Sequence, residues 1–297
     1  MRSRRIAVIG LGAMGSGMAC ALVDAGFSVT VFNRTGAKAE RIGGAGVAVA
    51  RSAAEAGADA GVVLLSLADE AAVAEVLFDS VLGHLEPGTT VIDTTTVSPA
   101  FARQAAERCA AAGARRVEAC VVGNPHMAAV GELRIFTAGD RDDVEGVCDV
   151  LGALSKEQRF VGEPGRASVL KLAFNLLLGV QTVGLAEAVA FAEAMGLDRE
   201  VLLHALENSG WRSPVLSFRA QFIRRRVYQP PGFRAALMHK DLSLGSSEAD
   251  KRGADLPVVK CSLAQFESLL AAGRGDDDAA AVVDVRSKLT GLPSAKA

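Results

Sequence analysis

A short apolar run, Ile6-Ala7-Val8-Ile9, breaks directly into Gly10-Leu11-Gly12-Ala13-Met14-Gly15 and then into an apolar, helix-favouring stretch from Ser16 to Ala25. No other feature restricts the fold so strongly. Glycines at this spacing between a strand and a helix make a tight turn and let the backbone approach a pyrophosphate. They also leave a helix N-terminus whose free N–H groups attract negative charge. Alone, G-x-G-x-x-G is an ordinary glycine turn. Behind a first strand, and with a second strand ending about 20 residues later, it predicts a dinucleotide site held by Gly10, Leu11, Gly12, Ala13, Met14 and Gly15.

The same alternation continues along the chain. Strand-like runs at Ile6–Ile9, Ser28–Phe32, Gly61–Leu65, Thr90–Ile92, Arg116–Val121, Leu133–Ala138 and Arg159–Val161 are separated by Ala-rich helical stretches. That order reads as βαβ units and a doubly wound, mostly parallel sheet. Strand signals stop after Pro164. A helical pattern then runs from Arg166 to about Met195 and ends at Gly196, and helices follow, with an N-cap expected at Asp198 and a loop at Tyr228–Gly232. The expected architecture is α/β: an N-terminal Rossmann-type domain over residues 1–163 and an all-helical substrate and dimerisation domain over 164–297, linked by a long interdomain helix.

Composition removes several classes of function. Lys and Arg number 32 against 34 Asp and Glu, a net charge of −2, which leaves no basic field to hold a nucleic acid or an anionic membrane. The most apolar stretch, Leu170 to Phe191, carries Lys171, Asn175, Gln181 and Glu187, so it reads as a buried helix and not as a lipid-facing span. Five widely spaced cysteines form no C-x-x-C pair, which argues against a disulfide framework or a zinc site and for a reducing, cytoplasmic setting. No multi-His or H-x-E spacing calls for a metal.

Four further segments carry chemistry. At the end of the second strand, where a NAD site usually presents an acid to the ribose, stand Asn33-Arg34-Thr35, with Lys38 a turn further on. An Arg guanidinium can pair with a 2′-phosphate, which favours NADP(H); the plainer alternative is a solvated Arg. Asp93-Thr94-Thr95-Thr96 follows a strand on the side where parallel sheets bind ligands, so Thr96 is either a cofactor contact or part of a Thr-rich turn. Lys171 and Asn175 lie at i and i+4 near the start of the long helix, among Leu170, Leu172, Phe174 and Leu176. They are either catalytic groups at a domain junction or a snorkelling Lys with a packing Asn. His126 is a second acid/base candidate or a surface histidine, and Arg224-Arg225-Arg226 reads as a solvated face.

Together the glycine turn with Asn33-Arg34-Thr35, Asp93–Pro99, Lys171 with Asn175 behind Gly165, His239–Leu244 and Gly273–Asp278 resemble the β-hydroxyacid dehydrogenases, over nearly the whole chain. The resemblance implies hydride transfer between NADP(H) and a small carbonyl or hydroxy compound, with Lys171 as acid/base and Asn175 holding the substrate. It also implies that Lys240 reaches the cofactor, and that Leu67 and Ala68 line its path, although Pro is common in the family at the Ala68 position. A homodimer or homotetramer is implied too, in keeping with a long helix too apolar all round for one domain to cover.

One segment departs from the family pattern. Where a Ser-Gly-Gly turn usually anchors the substrate carboxylate, this chain has Val122-Gly123-Asn124-Pro125-His126, which lacks the hydroxyl and one N–H. Val122, Gly123, Asn124 and His126 are therefore the expected substrate contacts, in an altered pocket. Similar wording occurs in imine reductases, so imine reduction stands as an alternative, as does a cofactor-binding protein without catalysis.

Overall fold

The computed structural model describes residues 4–43 and 47–289; the outer ends of the two expected domains, residues 1–3 and 290–297, lie outside the described residues. The chain divides into two compact units, the first ending at Lys171 and the second beginning at Leu172. The division falls inside the long helix, whose first turn is bonded to the sheet of the first unit.

The first unit is built on one eight-stranded sheet: β1 (Arg5–Ile9), β2 (Ser28–Phe32), β3 (Val47–Val49), β4 (Val62–Leu65), β5 (Thr90–Asp93), β6 (Arg115–Val122), β7 (Leu133–Ala138) and β8 (Ser155–Gly162). Their order is β3-β2-β1-β4-β5-β6-β7-β8, and every neighbouring pair is parallel except β6 with β7. The doubly wound fold expected from the sequence is therefore present. Its order reverses between β1 and β4, and the crevice beyond the carboxyl ends of those strands is where such sheets take ligands.

Helices α1 (Ala13–Asp24), α2 (Gly36–Ile42), α3 (Ala53–Ala58), α4 (Glu70–Val73, continued by a π-helical Ala74–Val81), α5 (Pro99–Ala111), α6 (Pro125–Ala129), α7 (Arg141–Glu145) and α8 (Cys148–Leu154) complete the unit. Alternation along the strands sorts the core into two layers. Ile6 and Val8 of β1 join Met18, Leu22 and Leu151 on one side, while Ala7 and Ile9 join Leu77, Ala102 and Cys109 on the other.

Two strand expectations need correction. β3 was not expected, and β8 begins at Ser155, four residues before the run at Arg159–Val161. Both are edge strands. β3 is half-buried or exposed throughout, and β8 is exposed over Lys156–Arg159, so neither shows the buried apolar alternation that marks a central strand.

The second unit is helical, with the long helix α9 (Arg166–Ala194) followed by α10 (Arg199–Glu207), α11 (Pro214–Arg225), α12 (Ala235–Asp250), α13 (Pro257–Ala271) and α14 (Val282–Leu289). α9 closes at Gly196, whose φ of 80° suits glycine, with Leu197 N bonding to Ala192 O at 2.8 Å. Asp198 caps α10 through Glu200 N, as its position predicts. By length and composition α9 is apolar enough to cross a membrane, but Ala186 and Val189 lie fully buried in the unit's core with Leu242 and Phe266. The arginine run is not simply solvated: Arg224 bridges Glu200 at 2.6 Å and Glu207 at 2.8 Å, tying α11 to α10.

Candidate active site

The glycine turn behind β1 meets two separate steric demands. Gly10 has φ 95°, and a Cβ there would lie 2.3 Å from Ser66 O; a Cβ on Gly15 would lie 2.0 Å from Gly10 O. These two glycines let the turn close on itself and on the end of β4. Gly12 differs, because its φ of −70° is open to any residue and a Cβ on it meets nothing within 4 Å. The space above Gly12 lies at the N-terminus of α1, where Gly12 is the N-cap and no side chain caps the first amides. Free amides at the start of a twelve-residue helix, beside a cradle that a methyl group would fill, fit the pyrophosphate of a dinucleotide.

Asn33 shapes this turn from the end of β2. Its Oδ1 accepts from Leu11 N at 2.9 Å and its Nδ2 donates to Thr35 O at 3.1 Å, so the side chain ties the two loops together. Arg34 and Lys38 are exposed beside it, and Thr35 is the N-cap of α2. Beyond β4, Leu67 is half-buried and Ala68 exposed. Leu67 N donates to Thr95 Oγ1 at 3.1 Å, and Thr94 Oγ1 donates to Leu65 O at 2.7 Å, so two threonines beside Thr96 clip the β5 loop to the β4 loop. Thr96 itself is half-buried.

Beneath these loops, Asp93 is fully buried; its Oδ2 pairs with Arg116 at 2.7 Å and its Oδ1 accepts from Thr95 N. Sequence reasoning assigned no role to Thr95 or to the Asp93–Arg116 pair. The only signal was the hydroxyl-rich run at a strand end.

Lys171 sits one turn into α9, half-buried, with its Nζ donating to Val121 O at 2.9 Å. That carbonyl immediately precedes the segment expected to touch substrate. There Val122 is half-buried and Gly123 is exposed with φ 154°, while Asn124 caps α6 by accepting from Met127 N at 3.0 Å. His126 is exposed on α6. Behind Lys171, Cys120 is buried among Ala138 and Ala167. Burial pushes its thiol up to about 11, against the opposing pull of the Lys171 charge, so it is no nucleophile at neutral pH.

In the second unit, Asn175 follows Lys171 by one helical turn and is buried. Its Nδ2 donates to Asp241 Oδ2 at 2.5 Å, and Lys240 Nζ lies 2.9 Å from Asp241 Oδ1. Asp241, 2% exposed, thus holds two of the expected site residues at once, a role the sequence reading did not assign. Among the described residues no group of three or more His, Cys, Asp or Glu is arranged to hold a metal.

Residues 5–162 match the family described as the NAD-binding domain of 6-phosphogluconate dehydrogenase, and residues 165–286 match that described as NAD-binding of NADP-dependent 3-hydroxyisobutyrate dehydrogenase. The oxidoreductase YfjR of Bacillus subtilis (strain 168), itself uncharacterized, is 33% identical over 94% of this chain and 98% of its own length. Glyoxylate/succinic semialdehyde reductase 1 of Arabidopsis thaliana is 29% identical over 94% of this chain and 97% of its own. The crystal structure of 3-hydroxyisobutyrate dehydrogenase from Salmonella typhimurium matches with a TM-score of 0.91 at 27% identity, covering 95% of this chain and all of that one.

Proposed function

Because the chain belongs to the β-hydroxyacid dehydrogenases and is an NAD(P)-dependent oxidoreductase, we propose that it interconverts a small carbonyl compound and its alcohol with NADP(H), using Lys171 as the acid/base. The observation that carries this reading is the Lys171 ammonium at Val121 O, on the threshold of the Val122–Asn124 segment. When bound, the nicotinamide supplies or accepts the hydride at the carbonyl carbon. In reduction, Lys171 Nζ donates its proton to the oxygen that gains charge; in oxidation, the neutral amine takes the hydroxyl proton. Asn175, its amide group turned by Asp241, orients the substrate.

Support for NADP(H) over NAD(H) comes from the ribose end. Asn33 stands where an acid would discriminate for a 2′-hydroxyl, and its side chain is spent on the loop, while Arg34 and Lys38 lie exposed nearby as partners for a 2′-phosphate. The amides of the 10–15 turn would hold the pyrophosphate and Arg34 the 2′-phosphate. The odd number and wide spacing of the five cysteines are the support for a reducing, cytoplasmic setting.

Imine reduction is favoured as a second reading by one feature, the methyl surface of Val122 and the N–H-less Pro125 where a carboxylate anchor would stand. A single experiment separates the readings: initial rates with NADPH and with NADH across semialdehydes, ketoacids and cyclic imines, for the parent and for Lys171→Ala. We expect carbonyl turnover with NADPH preferred, and a loss of about 10²–10⁴-fold in Lys171→Ala with cofactor affinity unchanged. Turnover in Lys171→Ala within a few-fold of the parent moves the acid/base role elsewhere; turnover confined to imines establishes the second reading.

A further inference from the structure

Strand β6 turns its even-numbered side chains to one side of the sheet, and on that side Arg116, Glu118 and Cys120 are all buried. A carboxylate buried there is costly unless its lone pairs are used. Glu118 uses both oxygens on the start of α9. Oε2 accepts from Gly165 N at 2.7 Å, and Oε1 accepts from both the backbone N–H and the hydroxyl of Ser168.

Amides in the first turn of a helix have no acceptor within the helix, and the usual solution is a Ser, Thr, Asp or Asn side chain at the N-cap. The residue before Arg166 is Gly165, which has no side chain to offer. The cap therefore comes from a strand 47 to 50 residues earlier in the chain. A negative charge at that end also matches the helix dipole.

The same stretch of strand holds the next turn of the same helix. Lys171 lies three residues beyond Ser168, Val121 three residues beyond Glu118, and Lys171 Nζ donates to Val121 O. Carboxylate on first-turn donors and ammonium on carbonyl make two attachments about one helical turn apart. Together they fix how far the first turns of α9, up to Lys171, are displaced along the helix axis and how they are rotated, which one attachment alone leaves free.

We propose that Glu118 is a positioning residue for Lys171: by capping α9 from β6, it sets the register that places the Lys171 ammonium at Val121 O, beside the substrate segment. The inference rests on the reading of Lys171 as the acid/base. Without the carboxylate, Gly165 N and Ser168 lose their acceptor, the first turn loosens, and the ammonium leaves its carbonyl.

The test uses the full-length protein with Glu118→Gln and Ser168→Ala. Glutamine keeps the shape of the side chain but turns an N–H donor toward donors; alanine at 168 removes one of the three bonds. The first readout needs no activity: trace acylation of lysines in the cofactor-free protein, with Lys171 labelling taken relative to exposed Lys260 by peptide mass spectrometry. The others are nicotinamide fluorescence titration for cofactor affinity, and kcat and KM. Glu118→Gln should raise the relative Lys171 labelling about 3- to 10-fold and lower kcat about 10- to 30-fold, with cofactor affinity unchanged and KM moving less than kcat. Ser168→Ala should shift both in the same direction by about 2- to 4-fold.

Parental labelling and kcat in a folded Glu118→Gln overturn the proposal, as does a rise in labelling shared by Lys171 and Lys260 alike. If Glu118→Gln does not fold, Ser168→Ala decides, and parental values there assign Glu118 to stability alone. Should Lys171→Ala keep its turnover, the acid/base reading falls while the labelling ratio still judges the placement of Lys171.

Discussion

Two glycines in one turn are there for different reasons, and this separates folding from binding at the residue scale. A methyl group on Gly15 would meet Gly10 O at 2.0 Å, a contact with backbone that nothing soft can relieve, whereas a methyl group on Gly12 meets nothing within 4 Å. Gly15→Ala is expected to cost about 2–4 kcal/mol of stability. Gly12→Ala should melt within about 2 °C of the parent yet bind the cofactor at least about 10-fold more weakly, because the methyl occupies the pyrophosphate cradle. Thermal melts paired with fluorescence titration check both; a Gly12→Ala protein with parental affinity would remove the cradle from the phosphate site. At this scale the sequence was legible where a residue contradicts its neighbours. Lys171 and Asn175 stand out in a run of leucines. Glu118 and Asp241 do not, because what makes each important is a partner 47 to 66 residues away.

Among the elements, the five-residue helix α6 alters how the substrate segment is read. Asn124 was expected as a substrate contact, but its Oδ1 is already engaged as the cap of α6 and Pro125 occupies the first helical position. Replacing Asn124 by Gly would remove that side-chain cap, at a cost of only about 0.3 kcal/mol, and would return no hydroxyl, so Val122 is the cleaner place to restore an anchor. Val122→Ser should raise kcat/KM for small hydroxyacids or semialdehydes about 10-fold by returning one hydrogen bond to the carboxylate, with little change in melting temperature. Steady-state kinetics decide it, and an unchanged or lower value means that the pocket is not limited by a missing hydroxyl. The edge strands teach a related lesson. Central strands announce themselves by buried apolar runs, while β3 and the first half of β8 are held by pairing with a neighbour and show no such run.

Considered as a whole molecule, the chain has an apolar stripe on α9 that its own second unit leaves uncovered. Leu177, Phe191 and Met195 are 56%, 69% and 69% exposed, at separations that keep them on one helix face. A homodimer or homotetramer burying this stripe is expected, and light scattering at micromolar concentration should find it. Phe191→Glu with Met195→Glu should shift the population toward monomer; a parent that is already monomeric sinks the expectation.

Stability should also fall in alkali. Burial pushes the thiols of Cys109 and Cys120 from 9.0 up to about 11, so the folded state holds these protons more tightly than the unfolded state does. Their contribution is complete below about pH 9 and is lost as the pH rises through about 11, on the order of 2–3 kcal/mol for each. Tyr228, raised chiefly by burial and then by Asp284, acts in the same direction in the second unit. Denaturant midpoints between pH 8 and 10.5 should drop, and less steeply in Cys120→Ala; a flat profile in the parent contradicts the assignment.

What the sequence determined by itself is what local pattern encodes: a strand that runs into a glycine turn and a helix, the alternation that builds a doubly wound sheet, one long helix with its stop at Gly196, and a lysine misplaced among leucines. Each of these is set by residues within a turn or two of one another. The tertiary structure decided the rest: Glu118 capping a helix whose own N-cap is glycine, Asp241 gripping Asn175 and Lys240, Thr95 taking the amide of Leu67, and edge strands without an apolar signature. For the long-range polar contacts the physical reason is the same. A polar side chain far from its partner in sequence looks like any solvated residue until the fold removes water from around it and leaves one donor or acceptor within reach.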